Sequence, residues 1–450
     1  MIARFVAVAL ALAAPAHAAD ANARDPNIPF TRYTLGNGLT VILSEDHRLP
    51  LVAVNVWYDA SPANEPPGRS GFAHLFEHMM FKGSQHVGDD QHIKLLEENG
   101  VTLYNASTDW DQTNYFETLP SNRLELGLWL ESDRMGFLVE ALTQAKLDNQ
   151  RDVVRNERCQ SYDNRPYGAS ELALIEALFP PEHPYHGAII GSHEDLQAAT
   201  LDDVKAFHRK FYAPANATLC IAGDFEPTHA RALVEKYFGP LPGGTRQPRR
   251  KAAVPSPKAR RIVLRDAVSL PRVSVGWVTT PAFTDGDAEL DLAARLLGGG
   301  RSSRLYRRLV HERQIASDVR CERQGLLLGS PFTCAVTAAA GHSAEEIEQA
   351  LGVELARLRA EAPTAVELDR ARNRQLAEAD RHLEQLGGFG GKSDALQYYE
   401  LYTGDPGHLA ADLARYRAVT PAGLQAAVKR ALGDQHRVTV VTLPRGGEAK

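Results

Sequence analysis

Hydrophobic and polar positions alternate with a period of two from Tyr33 to Asp46, interrupted by Gly36-Asn37-Gly38. That is the pattern of two strands joined by a tight hairpin turn. Leu51 to Tyr58 (LVAVNVWY) is nearly continuous apolar sequence and predicts a buried strand. A polar Pro/Gly loop then covers Ser61 to Gly71, and from Phe72 the apolar residues return at helical spacing. Further helical stretches run through Asp90–Asn99, Leu124–Val139, Asp148–Tyr162 and Ser170–Leu178. Short strands are expected at Leu103–Thr108 and at Ala217–Ala222, the second closed by Gly223-Asp224. Strands and helices mix without strict alternation, which predicts an α+β fold.

The stretch Gly239–Ala259 (GPLPGGTRQPRRKAAVPSPKA) is rich in Pro, Gly and basic residues and poor in apolar ones, the composition of a linker. Beyond it the pattern restarts, with strands at Arg261–Leu264 and Val273–Thr279, a Pro/Asp/Gly loop, and a helix over Ala288–Leu297. This repeats the strand, strand, loop, helix order of residues 39 to 81. The expectation is two structurally related domains, residues 19–240 and 260–450, joined by a linker at 241–259.

Composition narrows the picture only a little. The chain of 450 residues is 44% hydrophobic and 24% charged, ordinary for a globular protein, and its formal charge of -6 carries no hint of a nucleic-acid partner. The first eighteen residues stand apart. Arg4 follows the initiating Met1, Phe5–Ala14 is apolar, Pro15 breaks the run, and Ala16-His17-Ala18 supplies a small-residue cleavage pattern. This predicts residues 1–18 to be a signal peptide cleaved after Ala18, and a periplasmic location. Cys159, Cys220, Cys321 and Cys334 include no CxxC pair, which argues against a zinc ribbon or a redox motif. Cys321 and Cys334 flank a turn-like segment, Gly325–Pro331, so a disulfide across paired strands is expected there.

The chemistry is concentrated in Phe72-Ala73-His74-Leu75-Phe76-Glu77-His78-Met79. On a helix, His74 and His78 lie one turn apart with Glu77 beside them, while Phe72/Phe76 and Leu75/Met79 form i,i+4 pairs able to pack. Two imidazoles and a carboxylate on one face suit a zinc ion that keeps a position open for water, with Glu77 as the base. HxxEH inverts the HExxH arrangement. Alone, this match would arise by accident on the order of once in a few dozen chains, so a third ligand is needed.

The stretch Ala63–Gly83 (ANEPPGRSGFAHLFEHMMFKG) resembles the signature of the pitrilysin/insulinase (M16) family of zinc peptidases, in the half-length branch that holds the mitochondrial processing peptidase zinc subunit and bacterial periplasmic relatives. The similarity extends through Asn105-Ala106-Ser107-Thr108, Arg151–Pro166 and Ala222–Pro227. It implies a processing-peptidase/LuxS-like fold, each domain a mixed, mainly antiparallel sheet with packed helices, and only the first carrying the metal. It also implies one zinc per chain held by His74, His78 and Glu157. Val153 and Val154 would pack their helix and leave Glu157 facing the metal. Asn105, Ala106 and Ser107 would form an exposed strand edge that pairs with the peptide substrate. Many relatives carry a second-shell Glu seven residues before the third ligand; Gln150 stands there. The loop with His183 and His186 resembles a structural segment rather than a metal site, and Gly298-Gly299-Gly300 lacks the ending of a phosphate loop.

The resemblance implies a zinc-dependent endopeptidase in which Glu77 activates a zinc-bound water. The alternative is a non-catalytic assembly subunit of the same fold. Active relatives place an Arg and a Tyr in the second half, where this chain has Val310 and Ser317. The expected partner is therefore a paralogous subunit that lacks HxxEH but supplies the Arg/Tyr pair. A homodimer using Arg304, Arg307 or Arg308 is the competing arrangement.

Overall fold

The computed structural model describes residues 26–445; the expected signal peptide lies outside them. The chain forms two mixed sheets, each with packed helices. The first has strands β1 (Thr31–Thr34), β2 (Thr40–Glu45), β3 (Leu51–Tyr58), β4 (Leu103–Thr108), β5 (Thr113–Pro120) and β6 (Ala217–Gly223). Their spatial order is β1-β2-β6-β3-β5-β4, so β4 is an edge. The second has β7 (Arg260–Asp266), β8 (Arg272–Thr279), β9 (Ala316–Arg323), β10 (Ser330–Ala338) and β11 (Val438–Pro444), in the order β7-β11-β8-β10-β9.

The repeat read from the sequence is a repeat of topology. Each sheet contains one parallel pair, β2 with β6 and β7 with β11, and continues through antiparallel neighbours to an open edge strand. Each has a helix after its second buried strand: α1 (Phe72–Met79) in the first half, and Asp287–Gly298 in the second. Where α1 carries histidines at i,i+4, Asp287–Gly298 carries Asp287 and Asp291. Both aspartates pair with Arg323.

The halves interlock. Helix α5 (Gly168–Leu178) of the first half puts Leu174 and Leu178 into a cluster with Val438 and Val440 of the second sheet. In return, Lys392–Thr403 lies on the first sheet, where Leu396 packs with Ile42 and Cys220. The Gln397 amide donates to the Asn55 and Thr218 carbonyls, both at 2.8 Å. Residues 242–259 form neither helix nor strand.

Several boundaries differ from the sequence expectation. The helix expected over Asp148–Tyr162 is α4 (Gln144–Arg158), because Thr143 caps it by accepting a hydrogen bond from Lys146 N. It is followed by a π-type turn, Cys159–Asp163. Residues 91–98 form α2 and 124–141 form α3. Strand β5 and the helices His193–Ala198, Leu201–Phe211 and Pro227–Phe238 had no counterpart in the sequence reading. Leu201–Phe211 does carry a local signal, a Thr200/Asp203 capping box followed by Val204, Phe207 and Phe211 buried at helical spacing, whereas β5 is buried on both faces and shows no period of two. The Cys321–Cys334 disulfide is present, the two residues facing each other across β9 and β10 with Cα atoms 4.1 Å apart.

Candidate metal centre

Helix α1 is fixed from below and from its start. Phe72, Leu75, Phe76 and Met79 are all buried, with the Phe76 ring 4.3 Å from that of Tyr212. Burying each such side chain stabilises by about 1.5–3 kcal/mol. The chain enters α1 through Gly71 at φ +86, where a Cβ would fall 2.3 Å from the Ile190 carbonyl oxygen, so only glycine fits. The Glu65 carboxylate reaches the first turn and accepts from Gly71 N at 3.0 Å and Ala73 N at 2.8 Å. It satisfies backbone donors that a helix start leaves open.

This anchoring leaves His74, Glu77 and His78 on the opposite, half-buried face. Glu157 arrives from α4. Its Oε2 lies 3.2 Å from His78 Nε2 and its Oε1 lies 3.6 Å from His74 Nε2. The imidazole centroids are 4.8 Å apart, and the three ligand-type atoms all fall within 4.8 Å of one another. Val154 is fully buried and packs α4, but Val153 is 41% exposed. The packing role expected of both valines belongs to Val154 alone, because at 100° per residue the helix carries its neighbour toward solvent.

The electrostatics suit a cation. Burial brings His74 down to about 4, so its ring is neutral and its lone pair free at physiological pH. A hydrogen bond to His78 holds the Glu157 carboxyl below its ordinary value. Burial pushes Glu77 up to about 7, opposed by a hydrogen bond from Thr108 Oγ1 to Glu77 Oε2 at 2.6 Å. Two imidazoles and a carboxylate at this spacing fit a zinc ion. Thr108 ends the N-A-S-T segment, and no local sequence signal marks it as a partner of Glu77. Its contact with Glu77 needs β4 to pass beside α1, which only the tertiary fold supplies.

Asn105, Ala106 and Ser107 lie on edge strand β4, paired with β5 on one side only. Ala106 N donates to the Asn105 side chain at 2.9 Å, and Ser107 Oγ donates to Asn114 at 2.6 Å. Gln150 is buried on α4 and its amide donates to Asn149 at 2.7 Å, while His74 Nδ1 is buried without a hydrogen-bond partner. Elsewhere, His183 Nδ1 accepts from Tyr185 N and the His186 ring contacts the Phe179 carbonyl. Ser317 is the second residue of β9 and its hydroxyl donates to the Ala338 carbonyl at 3.1 Å.

Comparison with known proteins decides the family. Residues 40–180 match the description "Insulinase (Peptidase family M16)", and residues 198–375 match "Peptidase M16 inactive domain". A protein named "Zinc protease PqqE" from Helicobacter pylori is 31% identical over 362 residues, covering 78% of this chain and 79% of that one. The chain belongs to the M16 peptidase family. Another M16 relative, named the beta subunit of the mitochondrial-processing peptidase of Blastocladiella emersonii, is 29% identical over 221 residues, 49% of this chain and 46% of its own length. Among solved structures, a protease from Helicobacter pylori superposes with a TM-score of 0.84 at 28% identity, over 93% of this chain and 100% of that one. The first half of the periplasmic protease PqqL from Escherichia coli shares the fold, with a TM-score of 0.72 at 19% identity over 94% of this chain and 93% of that one. Among the described residues no helix is long and apolar enough to cross a membrane.

Proposed function

We propose that this chain is a zinc-dependent endopeptidase, and the observation that carries the reading is the convergence of Glu157 on His74 and His78 beside Glu77. His74, His78 and Glu157 would hold the ion through two imidazole nitrogens and a carboxylate. Bound zinc would polarise a scissile carbonyl and make water more acidic. Glu77 would take the water's proton and deliver it to the leaving amine; its elevated pKa, near neutrality, matches a group that must both accept and release. Thr108 would hold the Glu77 carboxylate in place through its 2.6 Å hydrogen bond. The open edge of β4 at Asn105–Ser107 would pair with an extended peptide. The Asn105 side chain, which now takes the Ala106 N–H, would give way to a substrate carbonyl.

The same reading gives the domains as 19–240, 241–259 and 260–450, with export through cleavage after Ala18 and work in the periplasm. It also calls for a partner. A tetrahedral oxyanion needs donors, and loss of one costs about 10²–10³ in rate. Val310 cannot donate from its side chain, and Ser317 is turned to the Ala338 carbonyl. Arg304 is held by Glu367 through two bonds of 2.8 and 2.9 Å, which counts against Arg304 as the donor in the homodimer alternative and leaves it to Arg307 or Arg308. A metal-less paralogue carrying an Arg/Tyr pair would complete the site. The rival, a non-catalytic subunit, draws on the "inactive domain" match over 198–375. His74, Glu77 and His78 lie outside that match, and their retention favours catalysis. The test combines zinc analysis with cleavage of unfolded peptides, by the chain alone and mixed with such a paralogue. Bound zinc with no cleavage in either case would favour the assembly subunit.

A further inference from the structure

Past Arg158, the backbone of α4 widens into the π-type turn Cys159–Asp163. Such turns insert a residue into a helix and occur often at functional sites. Here the turn brings the Cys159 thiol and the Asp163 carboxylate to one point, and His193, the first residue of the helix His193–Ala198, reaches it from the other side. His193 Nε2 lies 2.8 Å from Asp163 Oδ2 and 3.9 Å from Cys159 Sγ, and the three atoms lie within 4.8 Å of one another. Cys159 and His193 are half-buried and Asp163 is exposed, so one side faces solvent.

We propose that Cys159, Asp163 and His193 form a second metal site, distinct from the His74/His78/Glu157 centre, that takes zinc or a similar divalent transition metal. Sulfur, imidazole and carboxylate are zinc donors, and three of them leave a fourth, solvent-facing position. Calcium and magnesium ask for oxygen ligands alone. The neighbouring charges reinforce that choice. Arg155 Nε is 3.5 Å from His193 Nδ1, and Arg158 Nε is 3.9 Å from Asp163 Oδ1. Two guanidinium groups disfavour a hard cation held only by charge, whereas sulfur and nitrogen coordination can outweigh them. With the metal on Nε2, the ring proton sits on Nδ1 and Arg155 turns from it, keeping its 2.9 Å bond to Gln197 Oε1.

The position gives the site a consequence. It ties the end of α4, just past Glu157, to the segment Gly191–His193. That segment lies against the entry to α1, where Ser192 N donates to Ser70 Oγ at 3.0 Å and Arg158 Nη1 donates to the Gly191 carbonyl. A metal there braces the two helices that supply His74, His78 and Glu157, and is expected to raise thermal stability.

The chain from Ala19 onward, stripped with chelator and reloaded with zinc, is the material for the test. Wild type should hold two zinc ions per chain by elemental analysis, and Cys159→Ser and His193→Ala one each. His78→Ala should also keep one, now at the second site, which separates failure here from failure of the first centre. Reloading with cobalt should give a sulfur-to-cobalt charge-transfer band that two histidines and a glutamate cannot produce. Cys220 is buried and Cys321 and Cys334 are disulfide-bonded, so the band reports on Cys159. A single zinc in wild type that His78→Ala removes, or a cobalt protein with no such band, would overturn the proposal.

Discussion

His78 Nε2 stands 3.2 Å from Glu157 Oε2, a contact between two helices that are far apart in the sequence. The distance suits two ligands of one ion. His78→Ala and Glu157→Ala should each lose the one zinc held at this centre, measured by elemental analysis as one ion fewer per chain than wild type, while Glu77→Gln should retain it and lose peptide cleavage by several orders of magnitude. Wild-type turnover in Glu77→Gln would remove Glu77 as the base.

Thr108→Val tests the hydroxyl that bonds Glu77 Oε2. That bond lowers the pKa of Glu77 against the effect of burial. A hydrogen bond to a charged group contributes about 1.5–3 kcal/mol, equivalent to about one to two pH units. The acidic limb of the kcat/KM profile should therefore move to higher pH by about one unit, with zinc content unchanged. An unmoved limb would mean that Thr108 does not act through Glu77.

Phe76→Ala should be costly because the ring is 1% exposed and packs between Tyr212 and Phe207 beneath the histidine face. The expected loss is about 3–5 kcal/mol in denaturant unfolding, together with weaker zinc retention. A loss under about 1 kcal/mol would show that the site can collapse around the cavity.

Asp111 joins the two halves: Tyr402 Oη donates to it at 2.8 Å and Leu327 N at 3.0 Å, and Tyr185 Oη also bonds it. Burial raises its pKa from the ordinary carboxylate value of 3.8 to about 6. The folded state then binds the proton more tightly than the unfolded state, so stability from this group is fullest below pH 4 and falls as pH rises to about 6. Asp111→Asn should flatten that part of the stability–pH curve, by up to about 1.4 kcal/mol per pH unit. An unchanged slope in urea unfolding between pH 4 and 6 would refute the assignment.

How much of this was legible in the chain depends on how local each signal is. The hairpin around Gly36-Asn37-Gly38, the strand Leu51–Tyr58 and the face of α1 were legible because turn chemistry, apolar runs and i,i+4 spacing act within a few residues. The strand, strand, loop, helix order of the second half was legible for the same reason. Strand β5 escaped because elements that arrive from elsewhere bury it on both faces, whereas Leu201–Phe211 had a legible capping box at Thr200 and helical spacing of its own. Val153 was misplaced because the sequence does not say which side of α4 meets α1.

The sequence by itself determined the face that bears the candidate ligands: His74, Glu77 and His78 are held to one side of one helix by its 3.6-residue period. The family resemblance implied Glu157 and an exposed edge at Asn105–Ser107; only the tertiary structure decided how closely Glu157 approaches the histidines, that Thr108 bonds Glu77, and that Cys159, Asp163 and His193 share a point. Each of those depends on contacts between segments distant in the chain, whose geometry is set by how the helices pack on the sheets.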